Sequence, residues 1–337
     1  MPTTTRTVLF HELGGPDVLS IEEKVLPDPA PGEVRIRVEA LGLNRAEALF
    51  RAGTYYYQPT LPGSRLGYEA AGVVEEIGEG VTELAVGDPV MTGPRIEMGA
   101  QGVYAESVVL PTASVVRRPA SVDAVSGAAA FVTYSTAYGA LLATAGLAPG
   151  DHVLITGASS GVGTAAIQVA RRTGAIPIVT TRTEKKREGL LECGAAEVIV
   201  TGDAGGAEPM AAVVAEARRL TGGKGVEVIL DAIGGPGFAP LGGALAPGGS
   251  IVTYGWLDPR PAGIPLNWPL TIHTYANPHF TTDPDRLRRV TAYLGAGLVD
   301  GSLRPVISEV FEGLDRIRDA HRLLETNQHI GKIVVRL

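Results

Sequence analysis

Between Val153 and Ala170 three kinds of sequence follow one another without a break. Val153-Leu154-Ile155-Thr156 is apolar or β-branched, Gly157-Ala158-Ser159-Ser160-Gly161-Val162-Gly163 is built mostly of small residues, and Thr164-Ala165-Ala166-Ile167-Gln168-Val169-Ala170 has helical character. That order predicts a strand, a tight turn and the start of a helix. A corner of this kind suits a pyrophosphate. Small side chains let backbone N–H groups approach the anion, and the helix end adds partial positive charge. The same corner also serves as an ordinary strand-to-helix connection, so the rest of the chain has to decide between the two.

The surroundings favour a nucleotide fold. After Ser121, short β runs at Val153–Thr156, Ile176–Thr180, Val198–Val200, Val226–Leu230 and Ser250–Tyr254 alternate with helical segments at Thr164–Thr173, Lys185–Cys193 and Ala207–Thr221. Leu270–Tyr275 supplies a sixth strand. Alternation of this sort predicts an α/β architecture, a doubly wound parallel sheet covered on both faces. The first third reads instead as an irregular, mostly β domain, with strands at Arg6–Phe10, Leu19–Val25, Glu33–Ala40, Tyr68–Ile77 and Asp88–Met91. The tail adds helices at Pro284–Gly295 and Leu314–Glu325 and a last strand at Lys332–Arg336. A chain of 337 residues has room for two such domains.

Charge and composition narrow the partners. A net charge of −7, with Lys185-Lys186-Arg187 as the one basic cluster, argues against nucleic acid. Ala124–Pro149 is uncharged, but Gly127, Gly139, Gly146 and several hydroxyl residues interrupt it, so two buried helices are expected there and no membrane span. Arg6 and Gly14-Gly15-Pro16 leave no room for the apolar core of a signal peptide. The single cysteine, Cys193, excludes an intrachain disulfide and a cysteine-rich zinc site, and it suits the cytoplasm.

Six stretches, in order along the chain, resemble the medium-chain dehydrogenase/reductase superfamily in its zinc-independent, quinone-oxidoreductase-like branch. They are Leu43-Asn44-Arg45-Ala46-Glu47, Gly67-Tyr68-Glu69-Ala70-Ala71-Gly72-Val73-Val74, Val86-Gly87-Asp88-Pro89-Val90, Tyr134-Ser135-Thr136-Ala137-Tyr138, Ala158-Ser159-Ser160-Gly161-Val162-Gly163 and Gly331-Lys332-Ile333-Val334-Val335. The resemblance implies a GroES-like catalytic domain from residues 1–124 and 276–337, folded around a Rossmann-type nucleotide-binding domain at 125–275. It also implies a homodimer joined through the sixth strand, Leu270–Tyr275.

Two neighbouring families fit less well. Thr156–Gly163 also matches the turn of short-chain dehydrogenases, but none of the ten tyrosines has a lysine four residues on, and about 150 residues precede the turn. A zinc alcohol dehydrogenase of the same superfamily would place a cysteine near position 44 and a histidine near 68. Here Asn44 and Tyr68 stand there, and no histidine lies between His11 and His152. An amide and a phenol do not replace thiolate and imidazole as zinc ligands, so no metal is expected.

The second strand of a dinucleotide fold that prefers NAD usually ends on an acid that holds the ribose hydroxyls. Here Thr181-Arg182-Thr183-Glu184-Lys185-Lys186 puts hydroxyls and cations in that place. Arginine forks onto a phosphate and lysine adds a point charge, which points to NADPH, with Arg182 and Lys186 on its 2′-phosphate. By resemblance, Thr136 approaches the nicotinamide, and Ser159, Ser160, Gly161 and Val162 line the pyrophosphate. Tyr254 and Gly255 pass the nicotinamide edge, and Asn277 and Lys332 complete the cofactor set.

Hydride delivery to a quinone or an α,β-unsaturated carbonyl builds negative charge on oxygen, which needs a hydrogen-bond donor and a proton source. The candidate donors are Asn44, Tyr68, Tyr55 with its neighbours Tyr56 and Tyr57, and Tyr134. Glu69 reads as structural, and the histidines as outside the chemistry. Trp256 and Trp268 shape an apolar pocket or seal a boundary. The expected activity is an NADPH-dependent, zinc-free reduction of a quinone or enone. An enoyl-thioester or biosynthetic tailoring reductase, and a non-catalytic NADPH-binding protein, are the alternatives.

Overall fold

The computed structural model describes residues 3–202, 207–267 and 269–337, so Trp268 lies outside the described residues. In the amino-terminal part, β1 (Thr4–Phe10) and β2 (Leu19–Val25) pair antiparallel. After the proline-rich segment, Val34, Ile36 and Val38 turn inward along β3 (Glu33–Gly42), as their alternation requires. There follow α1 (Arg45–Arg51), β4 (Ser64–Arg65), β5 (Ala70–Ile77), β6 (Pro89–Thr92), α2 (Met98–Gln101), β7 (Ser107–Pro111), β8 (Val115–Arg117) and α3 (Ala124–Ala128).

The alternating region then runs α4 (Phe131–Tyr138), β9 (His152–Ile155), α5 (Gly161–Thr173), β10 (Ile176–Thr181), α6 (Arg187–Glu192), β11 (Glu197–Val200), α7 (Ala207–Leu220) and β12 (Val226–Asp231). It closes with α8 (Phe238–Leu241), β13 (Leu245–Thr253), β14 (Thr271–Thr274) and α9 (Asn277–Thr282). The chain returns through α10 (Pro284–Asp300), β15 (Ile307–Glu312), α11 (Ile317–Thr326) and β16 (Lys332–Arg336). No helix among the described residues is long and apolar enough to cross a membrane.

Two compact units result, Met1–Val132 with Thr281–Leu337, and Thr133–Phe280. In the first, the sheet order is β15-β16-β3-β5-β6-β8, with β7 also on β3, beside a smaller sheet β2-β1-β4. The carboxy-terminal strand β16 lies antiparallel to β3, which sets Val334 opposite Gly42 and Arg336 opposite Ala40. The second unit is the expected doubly wound parallel sheet, in the order β11-β10-β9-β12-β13-β14. Val153, Leu154 and Ile155 are all fully buried, because a parallel strand covered on both faces has no wet side. The strand order reverses between β9 and β12, and such a reversal opens a crevice at the carboxyl ends of the strands. β14 is the sheet's edge, and three of its four residues are exposed.

The first joint falls after Val132, later than the residue 124 expected from sequence. The reason is α3. Its Asp123 cap accepts from Ser126 N at 2.9 Å, and the Ala128 carbonyl presses so close on Gly42 that a Cβ there would sit 1.7 Å from the oxygen. This helix therefore packs on the strands of the first unit. The second joint, expected at 276, follows Phe280, whose ring stacks at 5.8 Å on Tyr275 of the second unit.

Candidate functional site

In the second unit the phosphate corner forms as its small residues dictate. Ser160 caps α5, its Oγ accepting from Gly163 N at 3.0 Å. A Cβ on Gly163 would meet the Ala158 backbone at 2.5 Å, so only glycine lets the helix start this close to the turn. Past β10, Lys186 reaches back and donates to Ser159 Oγ at 2.9 Å. Partial burial, and then the like charge of Arg182, pull its pKa down to about 8. Glu184, the acid nearest in sequence, is held by Arg187 at 2.5 Å. Ser159, Ser160 and Lys186 thus gather at the first turn of α5, whose Gly161 and Val162 N–H groups have no acceptor within the helix, and Arg182 lies near enough to Lys186 to act on its charge.

The floor of the crevice was missed from sequence. Thr156 Oγ1 donates to Asp231 Oδ1 at 2.6 Å and accepts from Ala232 N at 3.1 Å, while Gly234 N donates to Asp231 Oδ2 at 2.9 Å. These bonds tie the ends of β9 and β12 together. Burial pushes the Asp231 carboxyl up, and its hydrogen bonds partly offset that. The signal in the sequence was an acid closing the apolar run Val226–Leu230. Tyr254 follows β13 and its hydroxyl lies beside Ser160. The Gly255 carbonyl accepts from Thr253 Oγ1 at 3.3 Å.

Several expected cofactor residues are buried or already bonded within the fold. Thr181 is buried, and its carbonyl accepts from Thr201 N at 2.8 Å. Thr136 is buried within α4. Asn277 donates to Ser135 Oγ at 2.9 Å, which joins α9 to α4, and accepts from the nearby Tyr275 hydroxyl at 3.0 Å, so both ends of its amide are engaged. The largest correction concerns Lys332, which lies in the first unit and is only 4% exposed. Its ammonium donates to Leu43 O at 2.7 Å, Asn44 Oδ1 at 2.8 Å and Glu69 Oε2 at 2.7 Å. An ammonium has three protons, and all three are used, which leaves none for a cofactor.

Asn44 belongs to the same cluster. Its Nδ2 donates to Gly42 O and Glu69 Oε2, each at 3.2 Å, while its backbone N–H donates to Glu47 Oε2 at 2.7 Å at the start of α1. The amide is therefore engaged at both ends and acts as architecture rather than as an open donor. Glu69, expected to be structural, is fully buried and also accepts from Val132 N at 2.9 Å. Tyr104 donates to Glu47 Oε2 at 2.5 Å. Burial pushes the Glu47 carboxyl up to about 7, against the opposing pull of Lys332.

The phenols divide. Tyr134 is 1% exposed and donates to Gln168 Oε1 at 2.7 Å, a packing role that corrects its place among the catalytic candidates. Tyr55, Tyr56 and Tyr57 stack on one another at 4.5–5.2 Å and continue toward Phe50. Tyr68 packs at the edge of the same core, near Tyr55 and Glu47. Burial raises its pKa, so the phenol stays neutral and able to donate.

Comparison with known proteins agrees with both units. Residues 30–120 match the family model described as "Alcohol dehydrogenase GroES-like domain", and residues 161–277 match "Zinc-binding dehydrogenase". The chain is 30% identical to the quinone oxidoreductase of Homo sapiens, over 98% of each chain. Among solved structures, the Escherichia coli quinone oxidoreductase complexed with NADPH superposes with a TM-score of 0.88 at 27% identity, covering 99% of this chain and all of that one. A structure described as an NAD-dependent alcohol dehydrogenase has a TM-score of 0.83 at 32% identity, covering 98% and 99% of the two chains. The chain belongs to the medium-chain dehydrogenase/reductase superfamily, in its quinone-oxidoreductase-like branch. Its activity class is that of an NAD(P)H-dependent oxidoreductase.

Proposed function

We propose that this chain is a zinc-free reductase that uses NADPH to reduce a quinone or an α,β-unsaturated carbonyl. The observation that carries the reading is Lys186 drawn onto Ser159, with Arg182 beside it, at the cap of α5. Two cations at the end of β10 suit a 2′-phosphate, and the small residues of the turn suit the diphosphate. The bound dinucleotide supplies the hydride. The residues of the chain hold it, and Tyr68 donates a hydrogen bond to the substrate oxygen as negative charge develops there. The similarity to an NADPH-complexed quinone oxidoreductase supports the choice of cofactor. The absence of metal follows from donor chemistry: the amide of Asn44 is engaged by Lys332 and Glu69, and a neutral phenol at Tyr68 is a poor zinc ligand.

One set of assays tests this reading. NADPH and NADH oxidation is followed with benzoquinones and simple enones in the wild type, in Arg182→Ala/Lys186→Ala and in Tyr68→Phe. The double variant should lose about 100-fold in kcat/KM for NADPH and little for NADH, as expected from two lost charge-assisted contacts. Tyr68→Phe should lower kcat by about 100-fold, the usual effect of removing one oxyanion donor. An unchanged cofactor preference in the double variant would sink the cofactor assignment. NADPH binding with no turnover on any acceptor would favour a non-catalytic role.

A further inference from the structure

Tyr254 carries a hydroxyl that the fold itself does not use. Its backbone N–H is tied to the Asp231 carbonyl at 3.0 Å, which holds the residue at the carboxyl ends of β12 and β13. The hydroxyl is shut off from solvent and has no hydrogen-bond partner among the described residues, although it lies beside Ser160. Ser160 Oγ accepts from Gly163 N at 3.0 Å and its carbonyl from Thr164 N at 2.9 Å, so what its hydroxyl can still offer Tyr254 is a proton toward the phenol oxygen, which leaves the phenol's own proton unused. The open donors of the first turn are the N–H groups of Gly161 and Val162. A phenol removed from water without a partner is destabilising, and phenylalanine would fill the same space without that cost. Burial keeps the phenol protonated, against an opposing pull from the Ser160 hydroxyl and with a smaller push from Asp231, so its proton is available to donate.

We propose that the Tyr254 hydroxyl donates a hydrogen bond to a diphosphate oxygen of the bound dinucleotide, alongside the N–H groups of Gly161 and Val162. The inference rests on the nucleotide-binding reading of the second unit. It moves Tyr254 from the nicotinamide edge, where family resemblance puts it, to the middle of the cofactor.

The test is calorimetric titration of the unliganded wild type and of Tyr254→Phe with three ligands. These are NADPH, ADP-ribose (which has the diphosphate) and adenosine 2′-monophosphate (which lacks it). Tyr254→Phe should bind NADPH and ADP-ribose about tenfold more weakly, as one lost hydrogen bond to a charged oxygen predicts. It should bind adenosine 2′-monophosphate as the wild type does, and its thermal midpoint without ligand should be no lower. Equal ADP-ribose affinity in the two proteins overturns the proposal and leaves the NADPH reading standing. An equal loss for all three ligands also overturns it, because the defect would then not lie at the diphosphate. A wild type that binds none of the three overturns the NADPH reading, and this proposal with it.

Discussion

Lys332 in the first unit and Lys186 in the second are both drawn away from water, but their surroundings differ in kind. Lys332 is enclosed by a carboxylate, an amide oxygen and a backbone carbonyl, one acceptor for each proton of the ammonium. Lys186 rests on the Ser159 hydroxyl, and the like charge of Arg182 helps pull its pKa down. A buried cation whose donors are all met within the fold contributes to holding that fold. A cation set at a capped helix start beside a second cation is arranged for an anion from outside. On the reading proposed above, the cluster at Asn44 and the corner at Ser159 divide the labour of this protein, one as joinery and the other as a binding site.

The sharpest way to break that division is to remove Lys332. Lys332→Ala leaves Glu69, which is fully buried, without its counter-charge. Breaking a buried pair from one side costs about 3–5 kcal/mol, so urea unfolding should show a loss of that size, or no folded protein at all. Pairing the change with Glu69→Gln removes the orphaned charge and should restore part of the loss. If Lys332→Ala instead kept its stability and lost NADPH affinity, the lysine would be a cofactor ligand and the contrast with Lys186 would collapse.

Glu47 tests the same cluster through pH. The Lys332 cluster holds two carboxylates, Glu47 and Glu69, to one ammonium, and Glu47 titrates at about 7 in the fold against an ordinary value of 4.5. Between those pH values the folded protein holds a proton that the unfolded chain has released. Stability from this group is therefore present below about pH 4.5 and is lost as pH rises through about 7. The loss amounts to at most about 3 kcal/mol. Glu47→Gln cannot titrate, so its stability profile between pH 5 and 8 should be flatter than that of the wild type. It should be the more stable of the two at pH 8. Parallel profiles would show that Glu47 is ionised throughout and that the cluster accommodates both charges.

The two regions were not equally legible in the sequence. The parallel sheet announces itself locally: apolar runs such as Val153–Ile155 and Val226–Leu230 need no distant partner to be read as strands, and the small-residue turn after the first marks the helix start. Arg182 and Lys186 were legible too, since they follow β10 within a few residues. The joinery was not. A lysine at the start of a terminal strand reads as exposed, and its carboxylate partner lies 263 residues earlier. β7, β8 and β15 were also missed. Each is only three to six residues long, and β8 and β15 take their place from a neighbour, β6 or β16, rather than from a pattern of their own. α1, at seven residues, is too short for a helical period to show.

The smallest expected effect sharpens the other side of the comparison. With Lys186 titrating near 8, raising the pH from 7 to 9 takes the unliganded protein from mostly charged to mostly neutral at this position. A 2′-phosphate is fully ionised across that range and binds best to the charged lysine, whereas NADH has no group that needs it. The ratio of NADPH to NADH affinity should therefore fall about tenfold between pH 7 and pH 9, following the fraction of charged lysine. Fluorescence titration with each cofactor measures it. Lys186→Arg keeps its charge at pH 9, so its ratio should stay level. Arg182→Ala removes the like charge that depresses Lys186, so the fall should move to higher pH even as the overall ratio drops. A ratio that falls identically in the wild type and in Lys186→Arg would assign the titration to another group. It would leave Lys186, like Lys332, a lysine that serves the fold.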